Sequence, residues 1–247
     1  MKKSPNNRLS PHLPILLLTA RPGAGKSEII KYLSGLDAKT RSENYHIGKM
    51  KIIDDFPFLW RWFEEDHLLT QMHKERLFTD EEGYFKHHYQ WDLLIHLINL
   101  EYKKFLRDTE DAGKYTVIIE FSRGKQHGGY ARALPILSDA IVEKLSILYV
   151  NISWEESLRK NRRRYNPEKP DSILEHGMPD KKLEFMYSGC DFKEITIKDD
   201  EFCEIKGMKT PYAIFQNEDD VTTEYKPELG IRLKQCLEIL LKNRINS

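Results

Sequence analysis

The run Ile15-Leu16-Leu17-Leu18-Thr19, followed over residues 20–27 by Ala-Arg-Pro-Gly-Ala-Gly-Lys-Ser, decides how this chain folds. The apolar run predicts a buried strand, and the stretch from Ser27 to Leu36 predicts a helix. Gly23 and Gly25 allow the connecting backbone to bend, so that successive N–H groups converge. A strand, a glycine-bent turn and a helix N-terminus together make a site for phosphate groups.

The residues of this turn have expected roles at a bound triphosphate. Lys26 reaches the β- and γ-phosphates, and the Ser27 hydroxyl ligates Mg²⁺. A chance Gly-x-Gly-Lys-Ser in a surface loop is the alternative, and the flanking strand and helix argue against it. The sequence therefore predicts ATP and Mg²⁺ as cofactors. We expect further nucleotide contacts from the rest of the turn, namely Arg21, Pro22, Gly23, Ala24, Gly25 and Glu28.

The composition of the chain limits the classes of partner that we expect it to bind. The chain has 247 residues, enough for one large α/β domain with insertions. Lys+Arg and Asp+Glu both number 39, so no global field attracts nucleic acid or a membrane surface. We find no run approaching the roughly 18 apolar residues that a membrane span needs. We expect a small-molecule acceptor, with nucleic acid and membrane not expected, and the oligomeric state is left open.

The ends and the cysteines indicate an ordinary cytoplasmic domain. Residues 1–12 predict a flexible tail, followed by a single domain over 13–247. Cleavage after the apolar stretch Leu13–Ala20 would cut the phosphate site, so we do not expect a signal peptide. The three cysteines are widely spaced and odd in number, which favours free thiols in a reducing cytoplasm over a metal site.

Further apolar runs alternate with helical patterns along the chain. This alternation predicts a three-layer α/β/α architecture with a central parallel sheet, and ligands at the carboxyl ends of its strands. The β-branched run Tyr115–Ile119 is typical of a central buried strand. The other predicted strands are Ile47–Ile53, Leu145–Val150 and Tyr212–Phe215, with a small hairpin over Ile195–Ile205.

Two regions interrupt the alternation. Residues 58–107 are rich in aromatic side chains and end in an amphipathic helix to about Leu106, which predicts a helical insertion on the acceptor side. Residues 154–190 predict a lid-like region that starts with an Arg-rich helix, Trp154 to Tyr165. Asn166 to Asp180 predicts a loop, and Tyr130–Lys144 and Pro227–Asn243 predict further helices.

Asp54-Asp55-Phe56, at the end of the second strand, resembles the Asp-Asp-Phe or Asp-Ser-Phe element of the uridine kinase, nicotinamide riboside kinase and phosphoribulokinase family. The resemblance implies that Asp54 acts on the acceptor hydroxyl, since a carboxylate at a strand end can orient and deprotonate an alcohol. The alternative is that these aspartates cap the next helix, which is the favoured interpretation for Asp55.

Val117-Ile118-Ile119-Glu120 resembles the apolar, Glu-terminated strand of the same family. That resemblance implies that Glu120 holds Mg²⁺ beside Ser27, usually through water. A surface glutamate at a strand end is the alternative. Arg123 follows at a position near the predicted site, and whether it reaches acceptor or phosphate is left open.

Two later segments add further resemblances. The stretch Val150–Glu156 with the arginines after it resembles the lid region of nucleoside and nucleotide kinases, which implies that Arg159 and Arg163 grip the transferring phosphoryl group. A solvated basic face or a nucleic-acid patch would give the same pattern. Ala213–Asp219 resembles the loop that flanks the adenine ring, which implies a contact from Asn217; an ordinary strand-to-helix turn fits equally well.

Together these segments resemble the P-loop kinase superfamily. The resemblance implies an ATP-dependent phosphotransferase acting on a nucleoside, nucleotide or similar metabolite. The alternatives are a regulatory or switch-type ATPase and a kinase of nucleic-acid ends. Aromatic and histidine side chains of the insertion are candidates for stacking on an acceptor ring: Trp60, Trp62, Tyr84, His87, His88, Tyr89 and Trp91.

Overall fold

The computed structural model describes residues 12–164, 168 and 177–246. The described strands form one six-stranded sheet in the order β2-β3-β1-β4-β6-β5, defined below. All pairings are parallel except that of β5 with β6. The strands are β1 (Ile15–Ala20), β2 (Lys49–Asp54), β3 (Tyr115–Phe121), β4 (Leu145–Asn151), β5 (Phe202–Ile205) and β6 (Met208–Gln216).

Helices cover both faces of this sheet, so the predicted three-layer α/β arrangement with a mostly parallel sheet is confirmed. Short 3-10 turns occupy Ala112–Lys114, Lys125–His127 and Leu134–Ile136. The α-helices are α1 (Lys26–Gly35), α2 (Ala38–Tyr45), α3 (Phe56–Gln71), α4 (Tyr89–Asp108), α5 (Gly129–Ala133), α6 (Asp139–Val142), α7 (Trp154–Arg164), α8 (Asp180–Tyr187), α9 (Phe192–Ile195) and α10 (Pro227–Asn246).

Strand β1 is buried along its whole length because it lies in the middle of the sheet. Its alternate side chains enter two separate cores: Leu16 packs with α1 and α10, whereas Leu17 packs with α4 and α5. The chain leaves β1 toward β2 and β3 on one side and reaches β4 on the other. The carboxyl end of β1 is therefore a topological switch point, where a crevice opens.

The predicted continuous helix Tyr130–Lys144 is wrong. This segment forms α5, a 3-10 turn and α6. Pro135 lies at the break, where it removes a backbone donor and excludes a regular helical turn.

The predicted hairpin Ile195–Ile205 is misplaced toward the N-terminus. The observed hairpin joins β5 to β6 through Lys206 and Gly207, which have φ angles of 55° and 76°. Two positive φ angles in a two-residue connection suit the right-handed twist of hairpin strands. Ile195 belongs to the end of α9 instead.

Parts of two predicted segments lie outside the residues that the structure describes. Residues 1–11 of the predicted tail lie outside them, and His12 is buried close to Gly48 rather than belonging to a tail. Most of the predicted loop over 166–180 also lies outside. The three cysteines are unpaired thiols. Each helix within 12–164, 168 and 177–246 is too short or too polar to cross a membrane.

Candidate active site

The turn between β1 and α1 is bent at two glycines. Gly23 and Gly25 have φ angles of 73° and 105°, in the region that side-chain-bearing residues rarely adopt. A Cβ atom on Gly25 would lie 2.4 Å from Thr222 Oγ1 and 2.9 Å from Asn217 Nδ2. Glycine is therefore required at position 25 both by the backbone angle and by the close approach of the loop that follows β6.

That loop supports the glycine-bent turn from behind. Asn217 is fully buried, and its Nδ2 donates to the Ala24 carbonyl oxygen and to Thr222 Oγ1, each at 2.8 Å. Its Oδ1 accepts from the Val221 N–H at 3.0 Å. The structure thus uses the Asn217 side chain to hold the turn, so that an effect on a nucleotide would pass through Ala24.

Helix α7 holds the turn from another side. Ser157 Oγ donates to the carbonyl oxygen of Pro22 at 2.8 Å. A Cβ on Gly23 would lie 3.2 Å from Cβ of Lys160, so the first bend of the turn packs directly on the helix. Both contacts hold the turn against α7.

The Arg21 side chain points away from the turn. Its Nη1 donates to the Ile152 carbonyl oxygen at 3.3 Å, and its Nη2 to that of Ser188 at 3.2 Å. Arg21 therefore connects the turn to the end of α8, and its side chain serves the packing of that helix. Any contact of residue 21 with a nucleotide would use the backbone.

Lys26 extends from the start of α1 toward the end of β3. Its Nζ donates to Ser122 Oγ at 2.9 Å and lies 3.7 Å from Glu120 Oε1. The side chains of Lys26 and Glu120 are only 10% and 12% exposed, so their charges act on each other in a poorly hydrated environment. The structure thus brings together two of the residues that the sequence assigned to phosphate and metal.

Asp54 joins this pair through the register of the sheet. It lies directly opposite Glu120 on the adjacent strand. Burial, and then the charges of Glu120 and Asp55, raise the pKa of the Asp54 carboxyl to about 7. Its Oδ1 also accepts from the Phe56 N–H at 2.9 Å, so Asp54 both faces the site and binds the first turn of α3. Burial likewise raises the pKa of Glu120, against the opposing charge of Lys26.

Asp55, for which helix capping was favoured, has a different role. It precedes α3, yet its Oδ2 accepts from Arg123 Nη1 at 2.7 Å, and both side chains are buried. Arg123 also donates to the carbonyl oxygens of Ser122 and Trp91, at 2.8 and 3.3 Å. A buried charged pair whose guanidinium donates further hydrogen bonds avoids the large cost of an unpaired charge. The pair fixes β3 to α3 and α4 beneath the site.

These groups open into a single cavity of about 850 Å³. One end is formed by the glycine-bent turn and α1, including Ser27 and Glu28, and the floor by the ends of β2 and β3. The other end is formed by α3, α4, α8 and the connections beside them. A cavity of this volume is large enough for two small ligands placed end to end.

The arginines of α7 separate into two groups. Arg159 Nη2 and Arg163 Nη2 lie 3.3 and 3.1 Å from Asp220 Oδ2 in the loop after β6. Arg164, which the sequence did not single out, lines the cavity. Partial desolvation beside the cavity lowers the pKa of Arg164, and the carboxylates of Glu28, Glu120 and Asp54 oppose that change. Arg164 therefore interacts electrostatically with the carboxylates of the cavity.

Of the aromatic candidates in the insertion, Trp60 and Trp91 line the cavity. Trp62 is buried and stacks on Phe78 at 5.1 Å, and His87 stacks on Tyr89 at 5.2 Å. Tyr84 packs edge-on against Phe185, and His88 contacts the Gln126 carbonyl oxygen. Further rings that line the cavity were not among the candidates: Phe56, Phe63, Phe85, Phe121, Tyr187 and Tyr225.

Comparison with known proteins identifies no family for this chain. No family model and no curated protein matches its sequence. TT1252 from Thermus thermophilus is similar over 94% of this chain and 98% of its own, at 15% identity and a TM-score of 0.44. APE1195 is similar over 90% of this chain and 96% of its own, at 16% identity and a TM-score of 0.38. A sugar kinase from Janibacter sp. HTCC2649 is similar over 92% of this chain and 96% of its own, at 12% identity and a TM-score of 0.41.

Similarities this distant carry no argument about activity. Any function assigned to the chain must therefore rest on the geometry of the site.

Proposed function

We propose that this protein is an ATP-dependent phosphotransferase that moves the γ-phosphoryl group to a small-molecule acceptor. One observation carries the proposal. The amine of Lys26 and the carboxylates of Asp54 and Glu120 converge on the floor of one cavity, between a glycine-bent turn and an aromatic wall. An amine and two carboxylates around one cavity would suit a phosphate group and a reacting hydroxyl, which supports the proposal.

The turn supplies the nucleotide half of the proposed site. Backbone N–H groups at the start of α1 favour anionic phosphate oxygens, and the helix dipole adds to this preference. Lys26 would exchange its contact with Ser122 Oγ for one with the β- and γ-phosphates. The Asn217 and Ser157 hydrogen bonds hold the backbone of the turn in place, and a preorganised site loses less entropy on binding.

The residues present fit a nucleotide-bound Mg²⁺. Ser27 and Glu120 line the same cavity, and a magnesium ion of this kind takes one or two protein oxygens, with the rest from phosphates and water. The described residues contain no group of three or more His, Cys, Asp or Glu that could hold a metal by themselves. When bound, the ion would neutralise charge on the β- and γ-phosphates.

Asp54 would orient the acceptor hydroxyl and take its proton at the carboxylate. A pKa near 7 suits this role, since the group is substantially ionised at neutral pH and still basic enough to accept a proton. Lys26 and Arg164 would balance the charge of the transferring group. Arg159 and Arg163 could join them only after leaving Asp220. The aromatic wall would exclude water that competes with the acceptor.

Acceptor-dependent formation of ADP tests this function. Purified protein would be incubated with Mg²⁺-ATP and a panel of nucleosides, nucleotides, vitamins and sugars, with wild type, Lys26→Ala and a surface control, Lys39→Ala, in parallel. We expect one acceptor class to stimulate ADP formation in wild type and Lys39→Ala, and not in Lys26→Ala. Slow hydrolysis that no acceptor stimulates would contradict the proposal and favour the switch-type ATPase.

A further inference from the structure

The hydroxyl of Ser122 lies beside the amine of Lys26 in the cavity. Ser122 directly follows β3, two residues after Glu120, and lines the cavity. Its Oγ accepts from Lys26 Nζ at 2.9 Å, whereas 3.7 Å separates the same nitrogen from Glu120 Oε1. Ser122 is therefore the nearer of these two neighbours of the amine that the proposed function assigns to phosphate.

The backbone is held on both sides of the Ser122 side chain. The carbonyl oxygen of the preceding residue, Phe121, accepts from Thr19 Oγ1 at 2.7 Å. The carbonyl oxygen of Ser122 accepts from Arg123 Nη1 at 2.8 Å, and the same guanidinium is bonded to Asp55. A donor carried on a backbone that is fixed in this way is preorganised for an anion, because little has to move when the anion binds.

The Ser122 hydroxyl has a proton to donate. A serine hydroxyl combines one donor proton with two lone pairs, whereas an ammonium group only donates. The contact with Lys26 therefore uses a lone pair of Ser122 Oγ. Among the residues that the structure describes, Lys26 is the hydrogen-bond partner of this hydroxyl, and none accepts its proton. The proton is thus available to an anionic oxygen that enters the cavity.

The direction of the Lys26 side chain indicates which phosphate Ser122 would meet. In a turn of this kind, the backbone N–H groups bind the inner phosphates and the lysine reaches the β- and γ-phosphates. Lys26 extends from the start of α1 to Ser122, so the hydroxyl lies at the far end of the lysine side chain. The phosphate nearest to Ser122 would therefore be the terminal one, which ADP lacks.

We propose that Ser122 donates a hydrogen bond to the γ-phosphoryl group and thereby distinguishes ATP from ADP. This inference rests on the proposed function, because it needs a triphosphate held by the glycine-bent turn. In the free protein, Ser122 Oγ accepts from Lys26. With ATP bound, Lys26 turns to the β- and γ-phosphates, and the Ser122 hydroxyl rotates to donate to an oxygen of the γ-phosphate. ADP offers no oxygen at this position, so its affinity gains nothing from Ser122.

Isothermal titration calorimetry with two nucleotides tests this contact. The probes are ADP and AMP-PNP, an ATP analogue whose terminal phosphate is not transferred, each with Mg²⁺. We expect Ser122→Ala to bind AMP-PNP roughly tenfold more weakly than wild type, as for the loss of a hydrogen bond to a charged group, and to bind ADP with unchanged affinity. Equal weakening for both nucleotides, or an AMP-PNP affinity that is unchanged or higher, would overturn the inference.

Further variants separate the hydroxyl from the shape of the side chain. Ser122→Thr keeps a hydroxyl and should retain most of the preference for AMP-PNP, whereas Ser122→Cys carries a weak donor and should lose it. Ser34→Ala removes an exposed serine hydroxyl on α1, outside the cavity, and serves as the control. Circular dichroism checks that each variant folds, and Ser122→Cys decides the question if Ser122→Ala does not. A full preference for AMP-PNP in Ser122→Cys would contradict the proposal.

ADP formation with the acceptor panel separates this inference from the proposed function. If an acceptor stimulates ADP formation in wild type while Ser122→Ala binds AMP-PNP normally, the phosphotransferase stands and the inference about Ser122 is wrong. If Ser122→Ala loses affinity for AMP-PNP alone and no acceptor stimulates ADP formation, the phosphotransferase proposal is wrong, while the contact between Ser122 and the terminal phosphate stands.

Discussion

Glu120 faces Asp54 across the parallel pair β2 and β3, with its carboxylate on the same floor of the cavity. Burial and the charge of Glu120 are the two largest causes that raise the Asp54 pKa to about 7. A carboxyl group with this pKa can change its protonation state during turnover at neutral pH. The two strand ends thereby set the chemistry of the site through the register of the sheet.

The first prediction concerns Asp54→Asn. Loss of a general base should lower kcat by about 10²–10⁴-fold. In wild type, kcat/KM should rise with pH and level off above about pH 7, since kcat/KM reports the ionisation of the free enzyme and the ionised carboxylate is the active form. A pH–rate profile in steady-state assays measures both. Full activity of Asp54→Asn would remove Asp54 from the mechanism.

The same substitution, which should lower activity, should raise stability at alkaline pH. Because the folded-state pKa of Asp54 lies above its ordinary value, the folded state binds more protons than the unfolded state between about pH 4 and pH 7. The free energy of unfolding therefore falls as pH rises through this window. Without nucleotide or metal, Asp54→Asn should have a higher Tm than wild type at about pH 8 and a similar Tm at about pH 5. An equal Tm at both values would contradict the raised pKa.

The second prediction compares two glycines with positive φ. Gly207 has a φ of 76° with open space around its Cβ position, whereas a Cβ on Gly25 would meet Thr222 Oγ1. Gly207→Ala should cost about 1–2 kcal/mol of stability, from backbone strain alone. Gly25→Ala should cost more and also abolish binding of an ATP analogue. Urea unfolding and calorimetric titration measure the two effects, and normal analogue binding by Gly25→Ala would contradict the proposed turn.

The third prediction concerns Asn217→Ala. This change leaves the Ala24 carbonyl oxygen and the Val221 N–H without their Asn217 partner. Each unpaired group lowers the free energy of unfolding by about 1–3 kcal/mol. We expect lower stability together with weaker binding of an ATP analogue, because the turn loses its support. A stability loss with unchanged analogue affinity, measured on folded protein by calorimetry, would show that the turn keeps its shape without Asn217.

The fourth prediction separates the arginines of α7. Arg164→Ala should lower kcat more than Arg159→Ala or Arg163→Ala, because Arg164 lines the cavity while the other two bind Asp220. Steady-state kinetics of the three variants make the comparison. The larger loss in Arg159→Ala or Arg163→Ala would instead support the sequence-based assignment, and would require those side chains to leave Asp220 during turnover.

Much of this architecture could be predicted because it depends on local patterns. The apolar run before the glycines specifies β1, and Gly23 and Gly25 specify the bend after it. The carboxyl ends of parallel strands meet at one edge of a sheet, so the proximity of Asp54 and Glu120 follows once their strands are recognised.

Other features depend on contacts between distant segments. The pairing of Asp55 with Arg123 joins residues 68 apart, and the bond from Asn217 to Ala24 joins residues 193 apart. No local spacing distinguishes Arg164 from Arg163, because a contact with Asp220, in the distant loop after β6, sets the direction of the Arg163 side chain. The rings that line the cavity were similarly indistinguishable from core rings such as Trp62. Pro135, by contrast, is a local signal for a break in the helix, and the prediction of a continuous helix did not take it into account.

The measurement that tests the central claim most directly is the affinity for an ATP analogue in the presence of Mg²⁺, determined by isothermal titration calorimetry for wild type, Lys26→Ala and Lys39→Ala. We predict that wild type and Lys39→Ala bind equally well, and that Lys26→Ala binds at least roughly tenfold more weakly, as expected for the loss of a charged hydrogen bond to phosphate. Failure of the wild-type protein to bind the analogue, or equal affinity in Lys26→Ala, would contradict the claim that this turn holds a triphosphate.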